Sequence, residues 1–261
     1  MSLYGARMTL EIFAPDLDSP IIRPFSTRVS KTRAEVKNAE FFDIEGDPFN
    51  VVEGTFNVGA DRVAYRIIDE GFTIFAPGAF NGYVITFSGM SKAMGARAKL
   101  IGAEIVGRGT TLDIDPEDVW TSARALVVNV ASISFAEGDR LETQLSFKLA
   151  GGNRGDDLSG GGGDDLLRGG GGRDLLDGGD GRDVLIGDAG RDRFVLGSGR
   201  DVVRDFGDGA DRILVLSGAE RFRDLAIEAR GEDVLVTDGR DGLRLKDVAA
   251  EDLSASDFLF A

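Results

Sequence analysis

The sequence predicts an all-β protein in two parts, an antiparallel β-sandwich over residues 1–150 and a solenoid of short strands over residues 151–261. Two observations lead to this fold class. The first 150 residues contain short segments of alternating polar and apolar residues, separated by glycine and proline. From Gly151 to Arg204 the chain then repeats itself every nine residues.

Alternation with a period of two identifies the N-terminal strands, because one face of each strand is buried. Turn residues separate them at Asp47-Pro48, Ala76-Pro77-Gly78 and Asn81-Gly82. The expected strands are Thr9–Phe13, Phe49–Val52, Val63–Ile68, Phe72–Phe75, Tyr83–Phe87, Leu100–Val106, Leu126–Ile133 and Leu141–Leu149. The last one runs into glycine near Ala150, where we expect a domain boundary.

Helical character is expected in two segments only. These are Val29–Ala39 and the short Asp115-Pro116-Glu117-Asp118, where aspartate precedes proline as a helix cap would. Neither segment changes the fold class.

Each nine-residue copy contains a glycine-rich turn, an aspartate, and an apolar residue two positions after the aspartate. The aspartates are Asp156, Asp165, Asp174, Asp183, Asp192 and Asp201. The apolar residues are Leu158, Leu167, Leu176, Leu185, Phe194 and Val203. Stacked copies would place these apolar residues in one thin column.

The residue types of the repeat suit calcium. Glycine takes positive φ angles and so lets a turn direct its carbonyl oxygens toward one point, while aspartate supplies the charge. One apolar residue in nine makes a poor core. We therefore expect this segment to be largely unfolded without metal and to fold as calcium binds. A flexible Gly/Asp linker is the alternative, but it would not keep both residue types in phase.

The repeat resembles the GGxGxDxUx nonapeptide of RTX (haemolysin-type calcium-binding) proteins, which form a parallel β-roll. The resemblance implies that ions lie between turns n and n+2, with Asp156, Asp174 and Asp192 on one side and Asp165, Asp183 and Asp201 on the other. It implies about four or more calcium sites completed by backbone carbonyls. The implied glycine ligands are Gly161, Gly163, Gly170, Gly172, Gly179, Gly181, Gly190 and Gly199.

Three copies depart from the family pattern, and we expect the outer sites to be weaker. Arg154 replaces a turn glycine in the first copy, Asp188 stands at the second position of the fifth, and Leu196 begins the sixth. The stretch Arg200–Leu216 resembles the segment that closes RTX rolls. Its carboxylates are candidates for one further calcium site or for ordinary polar turns, and they are Asp205, Asp208 and Asp211.

Alternating segments beyond the repeats predict strands that cap the roll and protect its open end. They are Ile213–Leu216, Phe222–Ile227, Val234–Thr237 and Leu243–Lys246.

Charge and composition agree with a calcium-binding, exported protein. The net charge is −15, and residues 151–261 hold 25 acidic and 15 basic residues, a balance of −10. The chain has no cysteine, which excludes disulfides and thiolate metal sites. An acidic balance disfavours nucleic acid as a partner, and no segment has the roughly 20 apolar residues of a membrane span.

The export route follows from both ends of the sequence. Met1–Glu11 lacks the apolar core of a secretory signal. The tail Ser254–Ala261, an acidic residue followed by hydrophobic residues, is similar to the uncleaved C-terminal signals of RTX proteins. The resemblance implies bacterial type I secretion and an extracellular location, although the same tail also suits a last β-strand.

The absence of histidine limits the chemistry of the N-terminal part. Without histidine there is no zinc-binding His-Glu-x-x-His helix and no Ser-His-Asp triad, and the sequence has no Gly-x-Ser-x-Gly elbow. We therefore expect a non-enzymatic protein. One alternative is an adhesive or glycan-binding module. The other is a small carboxylate-dependent carbohydrate-active enzyme.

The residues behind these alternatives each have an ordinary structural explanation as well. Acids for a catalytic pair are Glu53, Asp61, Asp69, Glu70 and Glu104, which we expect to be surface charges. Asp113–Asp118 suits a capped turn better than a metal site, and Ser91–Lys99 suits a solvated loop better than an anion site. The aromatic residues Phe41, Phe42, Phe56, Phe72, Phe75 and Phe80 are expected in the core, with Trp120 the one tryptophan.

Overall fold

A computed structural model of the chain describes residues 3, 6–13, 25–28, 34–36, 54–58, 61–67, 82–108, 110–129, 138–207, 211–216, 218–239 and 241–261. The chain divides into two compact units. The N-terminal unit comprises Ser2–Ala93 and Lys99–Leu145, and the C-terminal unit comprises Met1, Met94–Ala98 and Ser146–Ala261. Among the residues described, no helix is long and apolar enough to cross a membrane.

The described residues before the repeats form ten strands and one short helix, besides a 3₁₀ turn at Pro116–Asp118. They are β1 Arg7–Phe13, β2 Phe25–Arg28, β3 Ala34–Val36, β4 Gly54–Val58, β5 Arg62–Ile67, β6 Gly82–Ser88, α1 Met90–Ala93, β7 Arg97–Ile105, β8 Val119–Thr121, β9 Ala125–Asn129 and β10 Arg140–Ala150. One sheet has the order β2-β1-β6-β9-β8, and every neighbouring pair in it is antiparallel. Strands β3, β4, β5 and the first half of β10 are also joined in antiparallel pairs.

Alternation along these strands buries one face, as the sequence pattern predicts. In β1, Met8 and Leu10 are fully buried whereas Arg7 is exposed. Met8 lies opposite Phe87 of β6 and Leu10 lies opposite Ile85, so buried side chains face each other across the strands. The all-β, antiparallel character of the N-terminal part is therefore confirmed.

The helix expected over Val29–Ala39 is wrong where the structure describes it. Ala34–Val36 forms β3, which pairs antiparallel with β4 through Val36 and Phe56. Sheet pairing overrides a weak local preference for helix here. Of the other expectations, the strands Phe49–Val52 and Phe72–Phe75 lie outside the described residues.

Two further segments of this unit differ in detail from expectation. Pro116–Asp118 is a three-residue 3₁₀ turn with proline at its first position, but the Asp115 carboxylate does not cap it. The turn is closed instead by the Asp118 N–H, which donates to the Asp115 carbonyl at 3.0 Å. Ser91–Lys99 is not a plain loop, because it contains part of α1 and the start of β7.

Eleven strands lie in the described part of residues 151–261. They are β11 Asp157–Gly162, β12 Leu166–Gly172, β13 Leu175–Asp180, β14 Val184–Gly190, β15 Arg193–Leu196, β16 Arg200–Val203, β17 Arg212–Val215, β18 Ala226–Arg230, β19 Asp233–Thr237, β20 Gly242–Leu245 and β21 Phe258–Phe260. Successive repeat strands alternate between two parallel sheets, so each strand pairs with the strand two copies away. This arrangement confirms the predicted parallel β-roll.

The apolar column of the roll is buried along its whole length. Its six repeat side chains have 0% exposure, and they are Leu158, Leu167, Leu176, Leu185, Phe194 and Val203. Buried residues outside the repeats extend the column. Leu149 of β10 lies beside Leu167, and Ile213 of β17 lies beside Phe194. Flanking strands thus add core that the repeats themselves lack.

The strands after the repeats divide into two kinds. Strands β17, β20 and β21 continue the parallel sheets, with β17 beside β15, β20 beside β16, and β21 beside β17. Strands β19 and β18 then follow β20 in antiparallel order and cover that sheet's end. Of the predicted capping segments, Val234–Thr237 lies in β19, and Phe222–Ile227 begins as a 3₁₀ turn at Phe222–Asp224 and enters β18. The other two, Ile213–Leu216 and Leu243–Lys246, lie largely in β17 and β20, which extend the parallel sheets.

Candidate metal centre

The six repeat aspartates form two columns, one along each edge of the roll where the turns precede the strands. In the first column the main-chain N–H of Asp156 donates to Oδ1 of Asp174 at 2.8 Å, and that of Asp174 donates to Oδ1 of Asp192 at 2.8 Å. In the second column the main-chain N–H of Asp165 donates to Oδ1 of Asp183 at 2.7 Å, and that of Asp183 donates to Oδ1 of Asp201 at 3.1 Å. Each link spans 18 residues, or two copies of the repeat.

Oδ1 of Asp174, Asp183 and Asp192 is thus used by the backbone, which leaves Oδ2 for another partner. The Oδ2 atoms of Asp174, Asp183 and Asp192 are buried, and no donor in the described part of the chain reaches them. A buried carboxylate oxygen without a partner is costly, and native structures provide a donor, a water or an ion for it. These atoms therefore mark where a cation fits.

Burial also changes how these carboxylates titrate. Desolvation raises the pKa of Asp192 to about 6, although the hydrogen bond from the Asp174 backbone opposes the rise. Desolvation likewise raises the pKa values of Asp174, Asp183 and Asp201. A bound cation would have the opposite effect, because opposite charge favours the ionised form.

Glycine at the first position of the first five copies leaves space beside Oδ2. A β-carbon placed on Gly169 would contact Oδ2 of Asp174 and lie 2.9 Å from the carbonyl oxygen of Gly187. A β-carbon on Gly160 would contact Oδ2 of Asp165 and lie 2.6 Å from the carbonyl oxygen of Gly178. Carboxylate and carbonyl oxygens two copies apart therefore converge where glycine has no side chain.

The glycines predicted as ligands direct carbonyl oxygens toward the next turn of the same column. A β-carbon on Gly181 would contact the carbonyl oxygen of Gly163, and one on Gly199 would lie 2.6 Å from that of Gly179. Seven of the eight have φ between 92° and 135°, in the left-handed region that favours glycine, and these are Gly161, Gly163, Gly170, Gly172, Gly179, Gly181 and Gly199. Gly190 is not among the positive-φ residues, although a β-carbon on it would contact the Gly172 carbonyl oxygen.

The carbonyl groups that converge with aspartate Oδ2 atoms on the first-position glycines were not predicted from the sequence. These belong to the first-position glycines Gly169, Gly178 and Gly187, whereas only the second and fourth positions were expected to contribute. The signal was present, because the nonapeptide has glycine at its first position in five of the six copies.

The set of oxygens around each aspartate suits calcium. Among the described residues, no three acidic side chains come together as a metal cluster. Each turn instead offers one carboxylate and several main-chain carbonyls. Calcium accepts such mixed oxygen ligands in large number, whereas zinc sites use histidine or cysteine, which this chain lacks.

The ends of the first column differ from its interior. Oδ2 of Asp156 accepts a hydrogen bond from the Gly152 N–H at 2.7 Å. At the other end, Asp211 accepts from the Asp192 N–H at 2.9 Å and from the Gly207 N–H at 3.0 Å. Asp211 therefore continues the column although it follows Asp192 by 19 residues. Both end carboxylates use the oxygen that the interior ones leave without a donor.

The other carboxylates of the closing stretch have a different placement. The Asp205 carboxylate accepts hydrogen bonds from the N–H groups of Gly187 and Asp188, at 3.0 and 2.8 Å, and so stabilises the turn of the fifth copy. Asp208 lies outside the described residues. Asp188 itself adopts a φ of 61°, and Arg168 donates to both its oxygens, which lowers the pKa of Asp188. An ion pair thus accompanies the replacement of glycine at this position.

The N-terminal candidates do not assemble into a site among the described residues. Glu104 is exposed and Asp61 is half-buried, whereas Glu53, Asp69 and Glu70 lie outside the described residues. Asp118 accepts a hydrogen bond from the Asn129 side chain at 3.1 Å, as a turn residue would. Trp120 is 41% exposed on β8, an edge strand. Of the six candidate core phenylalanines, Phe56 lies in β4 and the others lie outside the described residues.

Together, the stacked glycine turns and the aspartate columns define a calcium-binding β-roll. The family model of the RTX calcium-binding nonapeptide repeat (4 copies) matches residues 150–185 and 171–203. Residues 150–203 of this chain are thus RTX calcium-binding repeats.

Among the solved structures that are similar to this chain is one that matches part of it. It is the solution structure of the R2 subunit of a mannuronan C5-epimerase from Azotobacter vinelandii, with 30% identity and a TM-score of 0.33. The match covers 43% of this chain and 91% of that one. No curated protein matches the chain.

Proposed function

We propose that this chain is a secreted, non-enzymatic protein whose RTX roll folds when calcium outside the cell fills its turns. The observation that carries the proposal is the set of buried Oδ2 atoms of Asp174, Asp183 and Asp192, which no donor in the described part of the chain reaches. Each lies next to the first-position glycine of its own copy, and the carbonyl oxygen of Gly187 also lies close to Gly169, beside Asp174. Bound calcium would supply the positive charge that these oxygens lack.

The ligands we propose are the repeat aspartates together with the turn carbonyls. The sites that contain Asp174, Asp183 and Asp192 would be the stronger ones, because their Oδ2 atoms have no competing donor among the described residues. Asp156 and Asp211 would contribute less, since backbone N–H groups already occupy both oxygens of Asp211 and Oδ2 of Asp156. This ranking supports the expectation that outer sites are weaker.

Electrostatics explains why folding would depend on the metal. The C-terminal part has a balance of 25 acidic against 15 basic residues, and stacking brings the aspartates of each column close together. About four calcium ions would bring about eight positive charges and nearly cancel this excess. Sites with affinities of about 10⁻⁴ to 10⁻³ M would fill outside a cell and stay empty inside it.

The position of the C-terminal tail supports export before folding. Residues Phe258–Phe260 form β21, which pairs with β17, and the Ala261 N–H donates to the Val215 carbonyl at 3.1 Å. Phe258 is only 5% exposed and its ring lies 5.1 Å from that of Phe222. An exporter that reads this tail would have to engage it while the roll is unfolded.

An adhesive or glycan-binding role for the N-terminal unit is the second candidate. The exposed indole of Trp120 on an edge strand favours it, because aromatic faces pack against sugar rings. Loss of glycan or surface binding in Trp120→Ala, with calcium uptake unchanged, would support this role.

Calcium titration of the full chain tests the main proposal, with circular dichroism for strand content and calorimetry for ion count. We expect strand signal and ion uptake to rise together, and Asp174→Asn with Asp183→Asn to lose most of both. The matched control is Asp157→Asn, an exposed repeat aspartate outside the columns. Full strand signal for the roll in excess chelator, or equal effects of the two sets of substitutions, would contradict the proposal.

A further inference from the structure

A cavity of about 310 Å³ lies beside the first aspartate column, and arginine dominates its lining. The lining residues are Arg173, Arg191, Asp192, Arg193, Arg212 and Leu259. We call these residues the arginine cleft. Four cations thus line one small cavity in a chain whose net charge is −15.

Strand stacking places these arginines next to one another. Arg173 and Arg191 hold equivalent positions two copies apart, each directly before an aspartate of the first column. Arg193 of β15 is the direct partner of Arg212 of β17 in the parallel sheet. Neighbouring strands lie about 4.8 Å apart, so like charges are held at close range. Such pairs destabilise a sheet unless something neutralises them.

The described residues provide no such neutralisation. None of the four guanidinium groups forms an ion pair or a side-chain hydrogen bond with the described part of the chain, and Nε of Arg193 is buried without an acceptor. Other arginines of the same unit do have partners, since Arg168 pairs with Asp188 and Arg244 with Asp233. A buried donor without an acceptor is costly, and a bound group would relieve it.

Asp192 does not balance these charges. It is 1% exposed, and its Oδ1 accepts the Asp174 N–H. Under the proposed function its Oδ2 binds calcium, which would remove the last negative charge from the arginine cleft. The cleft would then be most cationic in the calcium-loaded roll.

We propose that the arginine cleft binds an oxyanion ligand with at least two negative charges, such as paired carboxylates or a sulfate. Guanidinium groups donate two parallel hydrogen bonds to such oxyanions, and a cavity of this size admits a group as large as a sugar acid. The source would be either a small free dianion or acidic groups along a polysaccharide. The inference rests on the proposed function, because β15 and β17 create the cleft only in a folded roll.

Calorimetry of the full chain in saturating calcium tests the arginine cleft. The probes are sodium sulfate, a short oligogalacturonate, and a neutral maltooligosaccharide of the same length. Titration of oligogalacturonate into calcium buffer without protein corrects for direct binding of the metal. The test variant is Arg193→Gln with Arg212→Gln. The control is Arg221→Gln with Arg223→Gln, which removes the same charge from exposed positions outside the cleft.

We expect the anionic probes to bind and the neutral one not to bind. The test variant should weaken anion binding at least about tenfold, and the control should change it less than about twofold. Sulfate binding as tight as that of oligogalacturonate would identify a small dianion, and much tighter binding of oligogalacturonate would identify a polysaccharide.

Absence of anion binding, or equal weakening of anion binding in both variants, would overturn the proposal that the arginine cleft binds an oxyanion. Circular dichroism of the same samples separates this result from failure of the proposed function. Full strand content in calcium without anion binding refutes anion binding by the arginine cleft and leaves calcium-dependent folding of the roll intact. Failure of calcium to fold the roll refutes both, since the cleft then does not form.

Discussion

Replacement of Gly179 by alanine tests whether stacked turns of one column contact each other through their main-chain carbonyl groups. Gly179 has a φ of 97°, and a β-carbon there would contact the carbonyl oxygen of Gly161 and lie 2.8 Å from its carbonyl carbon. Gly239, in the turn between β19 and β20, has a φ of 99° but no atom within 4 Å of a β-carbon. The two glycines therefore share a backbone conformation and differ in their surroundings.

The expected magnitudes follow from this difference. Gly239→Ala should cost only the left-handed conformation, about 1–2 kcal/mol. Gly179→Ala should add about 1–3 kcal/mol, because the new methyl group must push away the Gly161 carbonyl, a proposed calcium ligand. If about four ions bind in one folding step, a total near 3.5 kcal/mol raises the calcium midpoint about fourfold, against about twofold for the control.

Calcium titrations followed by circular dichroism, together with urea unfolding in saturating calcium, measure both quantities. A Gly179→Ala protein that behaves like Gly239→Ala would refute the view that stacked turns share carbonyl groups across two copies. A larger loss of stability with an unchanged number of bound ions would show that the contact is structural only.

Three other predictions concern pH, core packing and the tail. Burial raises the pKa of Asp192 from 3.8 to about 6, so the folded calcium-free roll holds protons that the unfolded chain releases. The stability of the calcium-free roll should therefore fall as pH rises from about 4 through about 6, by about 3 kcal/mol for this residue. Circular dichroism in chelator should detect more strand near pH 4 than near pH 8. Less strand near pH 4 than near pH 8 would contradict this direction of the pH effect. Leu176→Ala, in the fully buried column, should cost about 2–5 kcal/mol in urea unfolding, whereas Leu175→Ala on the opposite, half-buried face of the same strand should cost clearly less. Equal losses would mean that the column is not the core. Hydrogen exchange should protect the amides of Leu259 and Ala261 in calcium and not in chelator, because β21 pairs with β17 only in the folded roll; protection in chelator would contradict this coupling.

Much of the structure of the roll could be predicted from the sequence of a single repeat. The period of nine residues identifies the turn, the aspartate and the inward-facing apolar residue of each copy. The structure confirms the roll and places Asp174 and Asp192 in one column and Asp183 in the other. These features are local, since each copy has the same needs as its neighbours.

Other features depend on contacts that no local pattern encodes. Asp211 enters the first column after a spacing of 19 residues, outside the strict period. The strands β17 and β20 read as capping strands in the sequence, but they continue the parallel sheets because their partners are the last repeat strands. In the N-terminal unit, pairing with β4 makes a strand of Ala34–Val36, where local residues favoured a helix.

The residue types of the repeat set the chemistry of the roll: oxygen ligands of carboxylate and carbonyl type, glycine where φ is positive, and one apolar residue per copy. Tertiary structure alone decided which oxygens meet. Parallel stacking joins residues 18 apart, so that backbone N–H groups bind Oδ1 while Oδ2 of Asp174 and Asp192 stays without a donor among the described residues. The same stacking brings Arg193 beside Arg212. Residue types are set one copy at a time, whereas neighbours across a sheet exist only after the chain has folded.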